Sequence, residues 1–406
     1  MLTAVRKFTL TCGLCYVVGF SPFVSAHAAE GEQQPAKKPA PAKPAAAKPK
    51  GEVVPPSIAD FEKIYDEALE IAGEIGKLEG EFRKAKEADR PAIVQKYQGL
   101  AAAINERAAL LVDLQPEIEK LYLKDPKANK KAEQFLAERI GRSIEGDDYE
   151  EAVRLGQLLV KGGFENPAIH QAIGAAAFNM EDLDLAESEL KQAKELKALE
   201  EDGKVTLALL PEFREEWAKE QDIRAAEAKA DDLPRVKLAT SKGDITIELF
   251  ENQAPNSVAN FINLVEKKFY DGLPFHRVLP GFMAQGGDPE GNGTGGPGYH
   301  IACECYRDDY RKHFRGTLSM AHAGKDTGGS QFFLTFRPTG HLDGKHTAFG
   351  RVIQGMEVLK DLQRVNPQFP GGPKPDVIET ATVLRKRDHK YVPKKVADEG
   401  AAEKPE

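Results

Sequence analysis

At 406 residues, the chain is long enough for two or more domains, each with its own core. Its formal net charge is −8, and no basic cluster falls on a segment patterned to fold, which argues against a nucleic-acid binder. Aromatic residues make up 8% and charged residues 30%, a balance that suits a helix-rich part joined to a compact part.

Arg6 and Lys7 precede an apolar run from Phe8 to Val24, and Ala26-His27-Ala28 fits a small-x-small cleavage site. Residues 1–28 are therefore expected to be an export signal. A retained membrane anchor is the alternative, but the run carries Thr9, Thr11, Ser21 and Pro22 and is short for a span of about 20 apolar residues. Cleavage would leave a soluble protein outside the cytoplasm: periplasmic, elsewhere in the cell envelope, or secreted. Residues 29–56 are built of Pro, Ala and Lys (QQPAKKPAPAKPAAAKPK) and lack the apolar residues a core needs, so they read as a disordered, semi-rigid linker.

A helical domain is expected over 57–230. Ser57-Ile58-Ala59-Asp60 resembles a capping box, and Ile58, Phe61, Tyr65, Leu69, Ala72 and Ile75 recur at helical spacing. Similar patterns follow, punctuated by Pro91, Pro116, Pro126 and Pro167. DDYEEAV at Asp147 and EDLDLAE at Glu181 align with the period of about 34 residues of tetratricopeptide helix pairs, near 133–198. Gly156 falls where such a repeat wants a large residue, and a plain bundle stays open. Either arrangement would offer an interaction or spacer surface.

The composition changes near Leu233. RVKLATSKGDITIELF reads as two strands, with Val236, Leu238, Ile245, Ile247 and Leu249 alternating with polar neighbours, and Pro255 opens a helix to about Lys267. The glycine-rich, turn-rich remainder favours a closed antiparallel β-barrel over layered α/β units. Residues 389–406 read as a disordered tail.

Chemistry concentrates in FHRVLPGFMAQGGD, from Phe275 to Asp288. Arg277 precedes an apolar pair, Phe282-Met283, and an amide, Gln285, with no serine or thiol to act as nucleophile. GNGTGG lacks the ending of a phosphate-binding loop, and His322, His341 and His346 match no common zinc spacing. Cys303 and Cys305 read as two free thiols; a redox switch or soft-metal site is the alternative.

FHRVLPGFMAQGGDP, GTGG, GSQFF and LDGKHTAFG together resemble the cyclophilin family of peptidyl-prolyl cis/trans isomerases over about 233–388. The resemblance implies an eight-stranded barrel with two helices, needing no metal or cofactor. It implies Arg277 as the catalytic donor and Phe282, Met283, Phe333 and Leu342 as the proline pocket, with His346 at its rim. Gln285 and Gln331 match positions that bond the peptide and orient Arg277, and Ala321 and His322 match the backbone segment that pairs with it. His276 matches a structural neighbour of Arg277. His341 stands where many eukaryotic members carry tryptophan, which implies weakened cyclosporin binding. The implied substrates are unfolded or proline-containing polypeptide segments; the export signal would make them exported proteins, and the helical surface could dock a protein partner. The alternative is a non-catalytic proline-peptide binder, chaperone or scaffold.

Overall fold

The computed structural model describes residues 57–368 and 372–396. The expected export signal and linker lie outside them. Among the described residues, no helix is long and apolar enough to cross a membrane.

The first compact unit ends at Glu138. It opens at Ser57, whose N–H and hydroxyl both donate to the Asp60 carboxylate, at 3.2 and 2.8 Å. That lock starts α1 (Phe61–Lys84), which buries Phe61, Tyr65, Ala68, Ala72, Ile75 and Phe82 on one stripe. α2 (Arg90–Lys124) carries proline in its first turn and continues past Pro116. The break expected at Pro116 does not occur, because Leu111, Leu114, Ile118 and Tyr122 stay buried on both sides of it. Phe135, on α3 (Lys130–Glu145), meets Phe61 and Tyr65 edge-on, and the Tyr65 hydroxyl donates to Glu138 at 2.8 Å.

The second unit runs from Arg139. It contains the end of α3, then α4 (Tyr149–Lys161), α5 (Ala168–Asn179), α6 (Leu183–Glu195) and α7 (Glu201–Ala230). α4 and α6 begin alike. A residue in the left-handed region, Asp147 (φ 63°) or Glu181 (φ 68°), precedes an aspartate whose carboxylate accepts from the first turn. Gly156 has a packing reason: a Cβ there would lie 2.4 Å from Ile173 on α5. Gly174 similarly makes room for Leu190.

These helices belong to the same unit as the β-sheet, so the packing boundary lies well upstream of the composition change near Leu233. On α7, Glu220 and Glu227 receive Arg311, at 2.6 and 2.5 Å, and Glu227 also receives Arg351 at 2.8 Å. Phe213 and Trp217 pack on Phe314.

The sheet is antiparallel. Its strands are β1 (Arg235–Thr240), β2 (Gly243–Leu249), β3 (Arg277–Leu279), β4 (Met283–Gly286), β5 (Thr317–Met320), β6 (Phe332–Thr335), β7 (Ala348–Gln354) and β8 (Ile378–Arg385). They lie in the order β3-β4-β6-β5-β7-β2-β1-β8. The closed barrel expected from the sequence is corrected to a curled, open half-barrel with β3 and β8 at its ends. Across the seam, Pro274 and Val377 form a single bridge, while Val278 of β3 pairs with Val365. β3 has only three residues, too few to carry a ladder round to β8. Helices α8 (Pro255–Glu266) and α9 (Met356–Asp361) pack on the sheet, and Phe261 of α8 meets Tyr270, Phe332 and Phe349 in the core.

The tail expected from 389 is seated as far as Val396. Tyr391 is buried against the core and its hydroxyl donates to Glu251 at 2.9 Å, while the Lys394 N–H donates to Asn256. A sparse stretch of apolar residues hid this, since one tyrosine does the anchoring.

Gly156→Ala forces the α4–α5 contact apart and is expected to destabilise the second unit by about 1–3 kcal/mol in denaturant unfolding. Gly76→Ala, in α1 with nothing within 4 Å of its Cβ position, is expected to stabilise its helix by up to about 1 kcal/mol.

Candidate active site

Successive strand residues face opposite sides of a sheet. Val278, Ala284, Leu318, Phe332 and Leu334 face the core. Their neighbours Arg277, Gln285, Phe333 and Ser319 therefore face the other side. The register sets these four in one row across β3, β4, β6 and β5: Arg277 opposite Gln285, Gln285 opposite Phe333, Phe333 opposite Ser319. Residues far apart in sequence thus become neighbours through strand pairing alone.

A relay of amides orients the arginine. Arg277 Nη1 donates to Gln285 Oε1 at 3.3 Å, and Gln285 Nε2 donates to Gln331 Oε1 at 2.9 Å. Gln331 Nε2 in turn donates to the carbonyls of Gly293 and Gly295, at 3.0 and 2.9 Å. Those carbonyls belong to the GNGTGG loop, which is held by the buried Asp288. Its carboxylate accepts from the backbone N–H groups of Glu290, Asn292 and Gly293. Burial pushes the Asp288 carboxyl up, but these bonds outweigh it and hold the group below its ordinary value. The glycines are needed here: a Cβ at Gly295 would lie 2.1 Å from Asp288 Oδ1. The loop thus presents two carbonyls to one glutamine.

Apolar and aromatic groups surround the arginine. Its guanidinium carbon lies 6.0 Å from the Phe282 ring centroid, and Phe282 lies 5.7 Å from His341. Met283 and Phe333 are buried, and Leu342 sits in a 3₁₀ turn, Gly340–Leu342, that also carries the exposed His341. His346 meets Phe333 edge-on at 5.6 Å and stacks on His322 at 4.1 Å. His346 Nδ1 bonds the Met320 carbonyl and His322 Nε2 bonds the Lys345 carbonyl. Burial lowers the pKa of His346, and partial desolvation lowers that of His341. His276 is buried and lowered by the same cause. Burial also lowers the pKa of Arg277, yet a guanidinium remains charged. The Ala321 N–H is taken by the Gln331 carbonyl at 3.0 Å, where the chain leaves β5.

Sequence reasoning missed the brace beneath Phe333. The ring of His313 stacks parallel to it at 6.1 Å. His313 Nδ1 bonds Asp343 Oδ1 and its Nε2 bonds Ser319 Oγ, both at 2.8 Å. An aspartate–histidine–serine chain looks hydrolytic, but Ser319 is fully buried and its hydroxyl donates to the Thr347 carbonyl at 3.1 Å. It is a support. Nothing in the spacing of His313 signals this role. The segment around Cys303 also gains a structural part: Glu304 caps α8 through the N–H groups of Asn256 and Ser257. Cys303 and Cys305 are free, and burial pushes both thiols up, away from the reactive thiolate. Among the described residues, no three His, Cys, Asp or Glu side chains gather as a cation site.

A cationic donor, Arg277, thus lies beside the Phe282 ring, with the buried Met283 and Phe333 on the adjoining strands. Residues 235–383 match the family model described as cyclophilin type peptidyl-prolyl cis-trans isomerase/CLD. A peptidyl-prolyl cis-trans isomerase of Synechococcus elongatus is 56% identical over 128 residues, 31% of this chain and 86% of the relative. One of Helicobacter pylori is 50% identical over 147 residues, covering 35% and 90%. Isomerase B of Bacillus subtilis is 57% identical over 118 residues, covering 29% and 82%. The chain belongs to the cyclophilin-type peptidyl-prolyl cis-trans isomerases and acts on proline-containing polypeptides.

Gln331→Ala removes the link between the glycine loop and Gln285. We expect kcat/KM for a proline peptide to fall about tenfold, equivalent to about 1.4 kcal/mol of transition-state stabilisation. Circular dichroism should show an unchanged fold; an unaltered kcat/KM would mean that the relay does not orient Arg277.

Proposed function

We propose that Arg277 is the catalytic donor and that Phe282, Met283, Phe333 and Leu342 hold the proline ring, with His346 and His341 at the rim. Rotation about an X-Pro bond is slow because amide resonance must be lost, at a cost of about 18–20 kcal/mol. In the twisted state the proline nitrogen becomes pyramidal and exposes a lone pair. A donor aimed at that nitrogen favours the twisted state over both planar ones, which is what lowers a barrier. The observation that carries this reading is the Arg277–Gln285–Gln331 relay, with the guanidinium beside the Phe282 ring. A site built only to bind proline segments would not need an arginine held in one orientation.

In this reading, the second N–H of the Gln285 amide, the Ala321 carbonyl and the His322 backbone bond the peptide on either side of the proline, and Gln331 contributes the spare lone pair of its Oε1. The two planar isomers have their resonance intact and gain less from the arginine. All of the catalysis therefore comes from preorganised charge and shape, and no proton is transferred.

The clients we propose are unfolded exported proteins, met in the periplasm, elsewhere in the envelope or outside the cell, with the isomerase assisting their folding. The support is the sequence pattern of residues 1–28. Mass spectrometry of the protein purified from its native host is expected to find an N-terminus at Ala29, and an intact Met1 would overturn cleavage and favour the retained anchor.

Arg277→Ala is expected to lower kcat/KM by about 10²–10³, the usual cost of losing a transition-state donor, with the fold retained. Arg277→Lys should not restore the rate, since a lysine lacks the rigid fork that the Gln285 oxygen orients. Equal rates for wild type and Arg277→Ala, measured on a proline tetrapeptide, would favour a binder over an enzyme at this site.

A further inference from the structure

The hairpin β3–β4 carries Arg277, Met283 and Gln285, and its turn carries Phe282. That turn does not stand alone. The backbone N–H of Gly281 donates to Asp147 Oδ1 at 2.8 Å. Asp147 comes from the helical segment, in the left-handed turn between α3 and α4, 134 residues away in the chain.

The rest of the Asp147 carboxylate is also engaged. Oδ1 accepts from the Tyr149 hydroxyl at 2.8 Å, and Oδ2 accepts from Arg364 Nη2 at 2.8 Å. The same Arg364 nitrogen donates to the Gly146 carbonyl, and its guanidinium lies 4.6 Å from the Phe336 ring centroid. Two of these partners flank β3. Gly281 lies in the turn that follows it, and Arg364 precedes Val365, which exchanges both backbone hydrogen bonds with Val278 in the middle of β3. Phe336, under the Arg364 guanidinium, donates its N–H to the Phe282 carbonyl at 3.0 Å. One buried carboxylate, 2% exposed as a residue, thus ties together the backbone on both sides of the strand that bears Arg277 and reaches the carbonyl of Phe282.

We propose that Asp147 is a positioning residue for the isomerase, so that the helical segment from Arg139 completes the proline pocket rather than standing as a separate module. The contact is specific in chemistry. An edge hairpin of three and four residues has little ladder of its own to fix its turn, and a charged acceptor makes a stronger bond to a backbone N–H than a neutral one. Asp147 suits the position because aspartate tolerates the left-handed region better than most residues. A second tie of the same kind lies at the corresponding turn. Glu181 Oε1 accepts the Arg315 N–H at 2.6 Å, two residues before β5. The two helix-hairpin turns each offer a side-chain carboxyl oxygen to one backbone N–H of the sheet segment.

The proposal rests on the roles given above to Arg277 and Phe282, and the experiment separates the two. On the full chain, kcat and KM are measured for a proline tetrapeptide in wild type, Asp147→Ala, Asp147→Asn, Gly156→Ala and Arg277→Ala. Asp147→Ala is expected to raise KM about tenfold with a smaller loss of kcat, because the pocket wall at Phe282 loosens while Arg277 keeps its amide relay. Asp147→Asn retains an oxygen for the Gly281 N–H and should recover most of the affinity. Gly156→Ala weakens the same helices without touching Gly281 and should leave KM unchanged. The Gly281 amide of wild type should be protected from hydrogen exchange.

The proposal is overturned if Asp147→Ala leaves KM unchanged, if Gly156→Ala raises KM equally, or if the Gly281 amide exchanges at the rate of an unstructured peptide. The exchange measurement needs no variant, so it decides the matter even if Asp147→Ala does not fold. Full activity of Arg277→Ala would refute the catalytic reading instead, and the Gly281 protection would still report on the Asp147 contact.

Discussion

In the mechanism proposed for Arg277, everything depends on holding one guanidinium still. Arginine loses rotamer freedom of up to about 2 kcal/mol when its side chain is fixed, and a donor that wanders gives the twisted amide no advantage over the planar one. The protein meets this cost along a chain of short bonds. A buried aspartate, Asp288, shapes a glycine loop; two loop carbonyls hold Gln331; Gln331 holds Gln285; and Gln285 holds Arg277. Each amide uses its donor and its acceptor on fixed neighbours, so the orientation of the last member follows from the first. Neutral amides suit the relay, since a carboxylate beside Arg277 would compete with the proline nitrogen for the guanidinium.

The motif residues were legible in the sequence because they are clustered and chemically distinctive. Arg277, Phe282, Met283 and Gln285 fall in one run of nine residues, and alternation along β4 and β6 separates core from site. What stayed hidden depends on pairing across large separations. His313 reads as an ordinary histidine in RKHFRG until β5 and β6 bring it beneath Phe333. The closed barrel failed for a related reason: strand periodicity counts strands but does not say whether the first and last meet, and a three-residue β3 leaves the seam to single bridges. Pro116 misled in the opposite direction. Local preference called for a break, and the buried stripe on either side overrode it.

The helical segment was the least legible part. Its acidic and apolar residues have the same look whether they face water or a protein surface. Glu220 and Glu227 sit on α7 among many other glutamates, and only the fold reveals that both are buried on Arg311. Removing one partner of such a cluster leaves an uncompensated buried charge, which costs far more than an exposed pair contributes. The junction between helices and sheet is therefore specific in register rather than a general attraction. Arg311 also lies 3.8 Å from the Phe250 ring centroid, so a side chain of other shape would lose packing as well as charge.

A bond rotation makes particular demands on such a junction. No covalent intermediate holds the substrate in place, so the whole of the rate enhancement rests on geometry kept by the protein itself. Small displacements of a pocket wall are then as damaging as loss of a catalytic group would be elsewhere. An edge hairpin is a poor carrier for that geometry, because the outer side of β3 is held only by the single Val278–Val365 bridge. Seating its turn and its flanking segment on a carboxylate from a packed helical layer adds to that one bridge. The fold places Arg277 on the strand that most needs this support, and the helices from Arg139 onward lie where they can give it.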